Sequence, residues 1–240
     1  MWDKVSLAQY KELQEINTMP LSEVDKTLYS ACIVYGLTEW QLDNMKPKKA
    51  ARKIVAMSNG LSCLPKFTAA KRIGKYFIDY SIENMRFGQY VELAYFMQRP
   101  PLEVAHYVLA STSHLPLSKN DSDDHSEKSA YFIKQPIEKV LGSVMQLITN
   151  FNTFNKRYKG LFGLSDEKQE YDLTEVMEAR KTEQDPFNLQ YGWIYSATLI
   201  AEHERIVLDK AYLLPVKQAL HDLSYLKALG KYNERQLKNK

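Results

Sequence analysis

Apolar positions recur every three to four residues through most of the first 60 residues, which is the spacing of amphipathic helices. Leu7, Tyr10 and Leu13 share one such face, which follows a predicted N-cap at Ser6 with Gln9 three residues on. Further residues that begin or end predicted helices are Ser22, Gly36, Thr38, Pro47 and Gly60. Together these signals predict a compact unit of four helices over residues 6–60.

The helical spacing is lost after residue 60, where β-branched and aromatic residues become frequent. Residues 66–68 and 75–80 predict the two strands of a β-hairpin, with residues 72–74 between them. A lone hairpin is only marginally stable in water, so we expect it to pack on a helix or to pair with another segment. An exposed strand edge of this hairpin is the one place where we would look for pairing with another subunit during assembly.

Helical spacing resumes near Phe87 and predicts one helix that ends before Pro100 and another over residues 102–113. A third predicted helix begins at Pro136. Residues 116–129, which precede it, are polar and rich in turn formers, and they predict an exposed loop.

The pattern as a whole predicts a mainly α protein, a multi-helix fold with one small β-hairpin insertion. The predicted segments are an N-terminal helical bundle over 1–60, a hairpin plus helices over 61–155, a polar loop or arm over 156–185 and a C-terminal helical unit over 186–240. Whether the charged third segment is an exposed helix or an extended linker is left open by its composition.

The chain has 240 residues, of which 45% are hydrophobic and 25% charged, a composition typical of folded proteins. Its net charge of +3 creates no global field of one sign, so strong attraction to nucleic acid or membranes is not indicated. The first residues lack the pattern of a signal peptide, and no apolar run approaches the ~20 residues that span a bilayer. We therefore expect no membrane partner and a cytoplasmic protein in which Cys32 and Cys63 are buried, reduced thiols.

One partial metal-binding motif occurs near the C-terminal end. Glu202, His203 and Glu204 resemble the beginning of a zinc-protease H-E-x-x-H helix, but Val207 occupies the position of the second histidine, so the motif is rejected. The histidines are scattered, and each is better interpreted as solvated or hydrogen-bonded. No catalytic residue, metal or cofactor is predicted, and we expect no enzyme.

Two groups of residues are candidates for binding. The basic group could contact phosphates weakly, face solvent or pair with another subunit, and consists of Lys46, Lys48, Lys49, Arg52 and Lys53. The apolar group is interpreted either as core or as a partner and oligomer interface, and consists of Trp193, Tyr195, Leu220, Leu223, Tyr225 and Leu226.

The order of elements resembles a group of tailed-bacteriophage proteins that are encoded among virion and tail-assembly genes. The stretches that carry the resemblance are 5–42, which begins with Leu7-x-x-Tyr10-x-x-Leu13, 74–113, which leads from the hairpin into Phe87-Gly88-Gln89-Tyr90, and 192–226, which contains Gly192-Trp193-Ile194. Together they cover roughly two-thirds of the chain.

The resemblance implies a non-enzymatic virion structural protein, such as a ring or connector subunit at the portal-proximal head–tail junction. Such a protein has other phage structural proteins as partners, forms a homo-oligomeric ring and resides in the virion after assembly in the host cytoplasm. The alternatives are a tail assembly chaperone, which is absent from the mature virion, and a packaging factor that contacts DNA through the basic group.

Overall fold

The computed structural model describes residues 1–115, 124–162 and 186–238, with residues 186–190 described by their backbone alone. The protein is mainly helical, and its described part contains one small three-stranded antiparallel sheet, which confirms the predicted fold class. In chain order the helices are α1 (Leu7–Thr18), α2 (Glu23–Tyr35), α3 (Glu39–Asp43), α4 (Pro47–Leu61), α5 (Phe87–Phe96), α6 (Pro101–Thr112), α7 (His125–Phe132), α8 (Ile137–Asn155), α9 (Lys159–Phe162), α10 (Pro186–Glu204), α11 (Leu208–Leu213) and α12 (Val216–Lys238). Short 3-10 turns cover Trp2–Lys4, Ile82–Asn84 and Lys156–Tyr158.

The chain divides into two compact units, each built from two stretches of sequence. Unit 1 contains Met1–Asp79 and Pro100–Leu147, and unit 2 contains Tyr80–Arg99 and Ile148–Lys240. The division into four segments along the sequence stays a prediction.

The predicted helix boundaries in the first 60 residues are largely confirmed. Ser6 forms a capping box with Gln9, and the side chain of Ser22 accepts a hydrogen bond from the Asp25 amide. Gly36 ends α2 in the left-handed conformation, with φ of 60°. Gly60 differs from expectation, because α4 continues through it to Leu61. Helices α2, α3 and α4 enclose a small core made of Ala31, Cys32, Leu42 and Met57.

The sheet consists of β1 (Arg72–Ile73), β2 (Tyr76–Ile78) and β3 (Ser113–His114), in that spatial order. β2 pairs with β1 on one side and with β3 on the other, so the hairpin has a neighbour, as expected. The strand predicted at 66–68 is wrong, because that segment runs along α8 instead. There the Thr68 amide donates to the Glu138 carbonyl at 3.1 Å.

The loop predicted over 116–129 is wrong in its second half, where α7 begins at His125. Asp124 is the N-cap of this helix, and its side chain accepts a hydrogen bond from the Ser126 amide. Lys128 is buried, with its ammonium 3.0 Å from the Ser113 carbonyl oxygen, and Phe132 packs in the core. Residues 116–123 lie outside the described part.

Unit 2 has an aromatic core centred on Tyr90. The Tyr90 ring lies 5.1 Å from Phe151 and 5.8 Å from Trp193, and its hydroxyl donates to Asn155 Oδ1 at 2.7 Å. Such edge and offset contacts between aromatic rings add to the free energy gained by burial. Residues 156–162, predicted to begin a loop or arm, form a 3-10 turn and α9, and 163–185 lie outside the described part.

Candidate functional site

The six residues of the predicted apolar group lie on α10 and α12, and the structure divides them by burial. Leu220 and Leu223 are buried in the core. Trp193 is half-buried, and its ring lies 6.1 Å from Phe87. Tyr195 and Tyr225 are exposed, and Leu226 is half-buried. Of the two interpretations that the sequence left open, core packing therefore describes Leu220 and Leu223, whereas Tyr225 remains available to a partner.

Two residues missed in the sequence extend the surface around Tyr225. Leu229 and Tyr232 follow it at helical spacing, and the three side chains are 55%, 38% and 58% exposed in chain order. Each residue turns a helix by about 100°, so this stripe lies on the side of α12 opposite to Leu220 and Leu223. The four- and three-residue spacing was visible in the sequence and could have identified the stripe.

The predicted basic group lies on α4 and at its N-terminal cap. Lys46, Lys48, Lys49 and Arg52 are exposed, and within the described residues none of the five cations forms an ion pair. Lys53 is half-buried, with its ammonium 3.8 Å above the Tyr35 ring, so it belongs to the packing of α4 on α2. The remaining four cations stand in the first turns of a helix whose dipole is positive there, an arrangement that disfavours positive charge.

His203 belongs to a cluster that its sequence neighbourhood did not reveal. One potential ligand atom from each of His203, Glu204 and Asp222 lies within 4.8 Å of the others. His203 and Glu204 are the last residues of α10, and Asp222 comes from the second turn of α12. The sequence motif places its further ligand at position 207, where Val207 lies beyond the end of α10, and no sequence signal indicated that α12 would provide one.

The two carboxylates of this cluster receive few hydrogen bonds from the described residues. Asp222 Oδ2 is buried and accepts no hydrogen bond from the residues that the structure describes, whereas Glu204 Oε1 accepts one from Gln218 Nε2 at 3.3 Å. Burial raises the pKa of Asp222, and the neighbouring Glu204 carboxylate raises it further. The His203 ring lies 5.6 Å from Tyr225, which connects the cluster to the exposed stripe.

One ring nitrogen of His106 departs from the expectation that every histidine is solvated or hydrogen-bonded. His106 is buried in α6, and its Nδ1 has no hydrogen-bond partner among residues 1–115, 124–162 and 186–238. Burial lowers the pKa of His106 to about 4, and the positive charges of Lys11 and His125 contribute to the shift. The imidazole is therefore neutral over the physiological range of pH.

The two cysteines differ in accessibility. Cys32 is buried, as expected, and burial raises the pKa of its thiol. Cys63 is exposed, which corrects the expectation that both thiols are buried. It follows the end of α4, and its carbonyl oxygen accepts a hydrogen bond from Trp2 Nε1 at 2.5 Å.

Across residues 1–115, 124–162 and 186–238, no helix combines the length and the apolar character needed to cross a membrane. Comparison of the chain with protein-family models, with curated proteins and with solved structures gave no match.

Proposed function

We propose that this protein is a non-enzymatic structural subunit of a tailed-bacteriophage virion, forming a homo-oligomeric ring or connector at the head–tail junction. The observation that carries the proposal is the exposed apolar stripe of Tyr225, Leu229 and Tyr232 on the side of α12 that faces away from the core. The resemblance of the element order to phage assembly proteins supplies the biological setting.

The stripe has the composition of a binding surface. Tyrosine and leucine side chains on one helix face gain free energy when a partner removes them from water, and aromatic residues are enriched at the centres of interfaces. Arg235 lies about 90° around α12 from this stripe, where it could contribute to a polar rim. A repeated contact between the stripe and a different surface of the next copy would close a ring.

Light scattering on the full chain tests the oligomer. We expect a mass of several subunits for the unaltered protein and a mass close to that of the monomer for the triple variant Tyr225→Ser, Leu229→Ser and Tyr232→Ser. The matched control is Leu64→Ser, which replaces a residue 90% exposed outside the helices and should leave the mass unchanged. A protein that is monomeric at all concentrations and joins no phage structural protein contradicts the proposal.

Mass spectrometry of purified phage particles distinguishes a virion component from an assembly chaperone. The chain is present in mature particles if it is a ring or connector subunit. A chaperone would instead be found with an unassembled tail protein in infected cells and be absent from particles, which would replace the proposal by that alternative.

A DNA-contacting packaging factor is the second candidate, favoured by the four exposed cations of Lys46, Lys48, Lys49 and Arg52. Binding to duplex DNA should then weaken steeply with added salt, because the cations displace counterions from the phosphates. The double variant Lys48→Glu and Arg52→Glu should lose binding, whereas Lys231→Glu on α12 should retain it. Failure to bind DNA at low salt removes this candidate.

A further inference from the structure

Helices α10 and α12 bring three potential metal ligands together at the C-terminal end of α10. His203 contributes an imidazole nitrogen, and Glu204 and Asp222 contribute carboxylate oxygens, all within 4.8 Å of one another. A metal ion that binds such groups at about 2.0 to 2.2 Å would require only small side-chain rotations to be reached by all three. The ligands come from two different helices, so their proximity is a product of the fold.

The two carboxylates need a counter-charge that the described surroundings supply only in part. Ionised carboxylates are acceptors only, so Glu204 and Asp222 can share a hydrogen bond only when one of them is protonated. Asp222 Oδ2 is buried and has no hydrogen-bond partner within the described part of the chain, which is costly for a polar atom removed from water. Gln218 gives Glu204 one donor, but it brings no charge to the pair.

The position of the cluster also favours a cation. The C-terminus of a helix carries a partial negative charge, and His203 and Glu204 are the last two residues of the 19-residue helix α10. His203 is exposed, so an ion has access from solvent and would keep an open position for water.

We propose that His203, Glu204 and Asp222 form a binding site for a divalent transition-metal ion with the ligand preferences of Zn²⁺. One imidazole with two carboxylates matches that preference, whereas Mg²⁺ and Ca²⁺ are bound mainly by oxygen. Asp222 takes the place of the second histidine that the partial H-E-x-x-H motif lacks at Val207. The ion joins the end of α10 to α12 one turn before Tyr225 and thereby fixes the helix that presents the stripe.

Titration of the metal-free full chain with Zn²⁺ tests the site, and Co²⁺ absorption reports on its coordination. We expect one ion per chain and an increase of about 5 °C in Tm at saturating metal, because binding to the folded state alone stabilises it. Asp222→Asn should lower the affinity by more than about 100-fold, since it replaces an anionic ligand. The same variant should raise the Tm of the metal-free protein, since it removes the repulsion from Glu204, and this result shows that the variant folds.

The control is Glu202→Gln, which neutralises an exposed acid next to the cluster and should bind Zn²⁺ like the unaltered protein. His203→Ala should lose binding as Asp222→Asn does. Absence of Zn²⁺ binding at 1:1 stoichiometry, or binding that both ligand variants retain, overturns the proposal. Neither outcome depends on oligomer formation, because the affinity can also be measured with the double variant Leu229→Ser and Tyr232→Ser, which keeps Tyr225 beside His203.

Discussion

The backbone of Thr68 lies so close to Gly142 that a Cβ atom at position 142 would overlap its amide nitrogen. The extended segment around Thr68 packs along α8 through three hydrogen bonds, from the Lys66, Thr68 and Ala70 amides to Glu138 Oε1, the Glu138 carbonyl and Ser143 Oγ. Only glycine permits this approach. Gly142→Ala should therefore lower the free energy of unfolding by about 1 to 3 kcal/mol, measured by urea denaturation.

Gly230→Ala is the matched control for that substitution. Gly230 also lies inside a helix, but no described residue outside that helix turn lies within 4 Å of the position that its Cβ would occupy. Alanine favours the helix there by about 0.5 to 1 kcal/mol, so this variant should be slightly more stable. Equal effects of the two substitutions would contradict the close approach at Thr68.

The turn of the hairpin depends on Gly74 for two separate reasons. Its φ of +57° is strained for any other residue, and a Cβ atom would collide with the hydroxyl of Tyr131. Gly74→Ala should destabilise the protein by about 2 to 4 kcal/mol, combining the left-handed backbone with overpacking. Tyr131→Phe should recover part of this loss, measured as a coupling energy in a double-mutant cycle, and strict additivity would exclude the collision.

His106 should make stability depend on pH in the acidic range. Its pKa is about 4 in the folded protein and 6.5 in an unfolded chain, so protons bind the unfolded state first. Above pH 6.5 this histidine leaves the free energy of unfolding unchanged. As the pH falls towards 4 the free energy of unfolding declines, and below pH 4 the whole loss of roughly 2 to 3 kcal/mol has occurred. His106→Gln should flatten this part of the profile of unfolding free energy against pH, whereas His221→Gln, at an exposed site, should not.

The capping box at Ser6 should contribute measurably to α1. Its hydroxyl accepts from the Gln9 amide at 3.2 Å, and Gln9 Oε1 accepts from the Ser6 amide at 2.9 Å. Ser6→Ala should cost about 1 kcal/mol in the free energy of unfolding. Ser62→Ala is a suitable control, because Ser62 follows the end of α4 and caps no helix N-terminus; an equal loss there would show that the box at Ser6 has no special role.

Local signals predicted most of the helices, because a cap or a stop acts within one turn. Ser6, Gly36 and Pro47 each mark a boundary that the structure contains. The same kind of N-cap signal is present at Asp124, with Glu127 three residues on. The start of α7 was nevertheless not predicted, because the surrounding residues are polar and typical of a loop. A cap is thus a stronger indicator than mean polarity.

Contacts between distant segments were not predictable in this way. Residues 66–68 have the composition of a strand, but they pack along α8 instead. This close packing is possible because Gly142 has no side chain. Asp222 joins His203 and Glu204 only because α12 packs on α10. Likewise, Leu223 and Tyr225 are only two residues apart on α12, yet Leu223 is buried and Tyr225 is exposed. The sequence of α12 does not determine which of its faces is buried, because that depends on how the rest of unit 2 packs against it.

The difference between the two cysteines provides a direct way to count subunits. Cys63 is accessible and Cys32 is enclosed, so a maleimide dye should modify each folded chain once, at the end of α4. The number of photobleaching steps in a single labelled assembly then equals its stoichiometry. Cys63→Ser supplies the unlabelled background, and a reducing agent during storage prevents exposed thiols from cross-linking chains into false dimers.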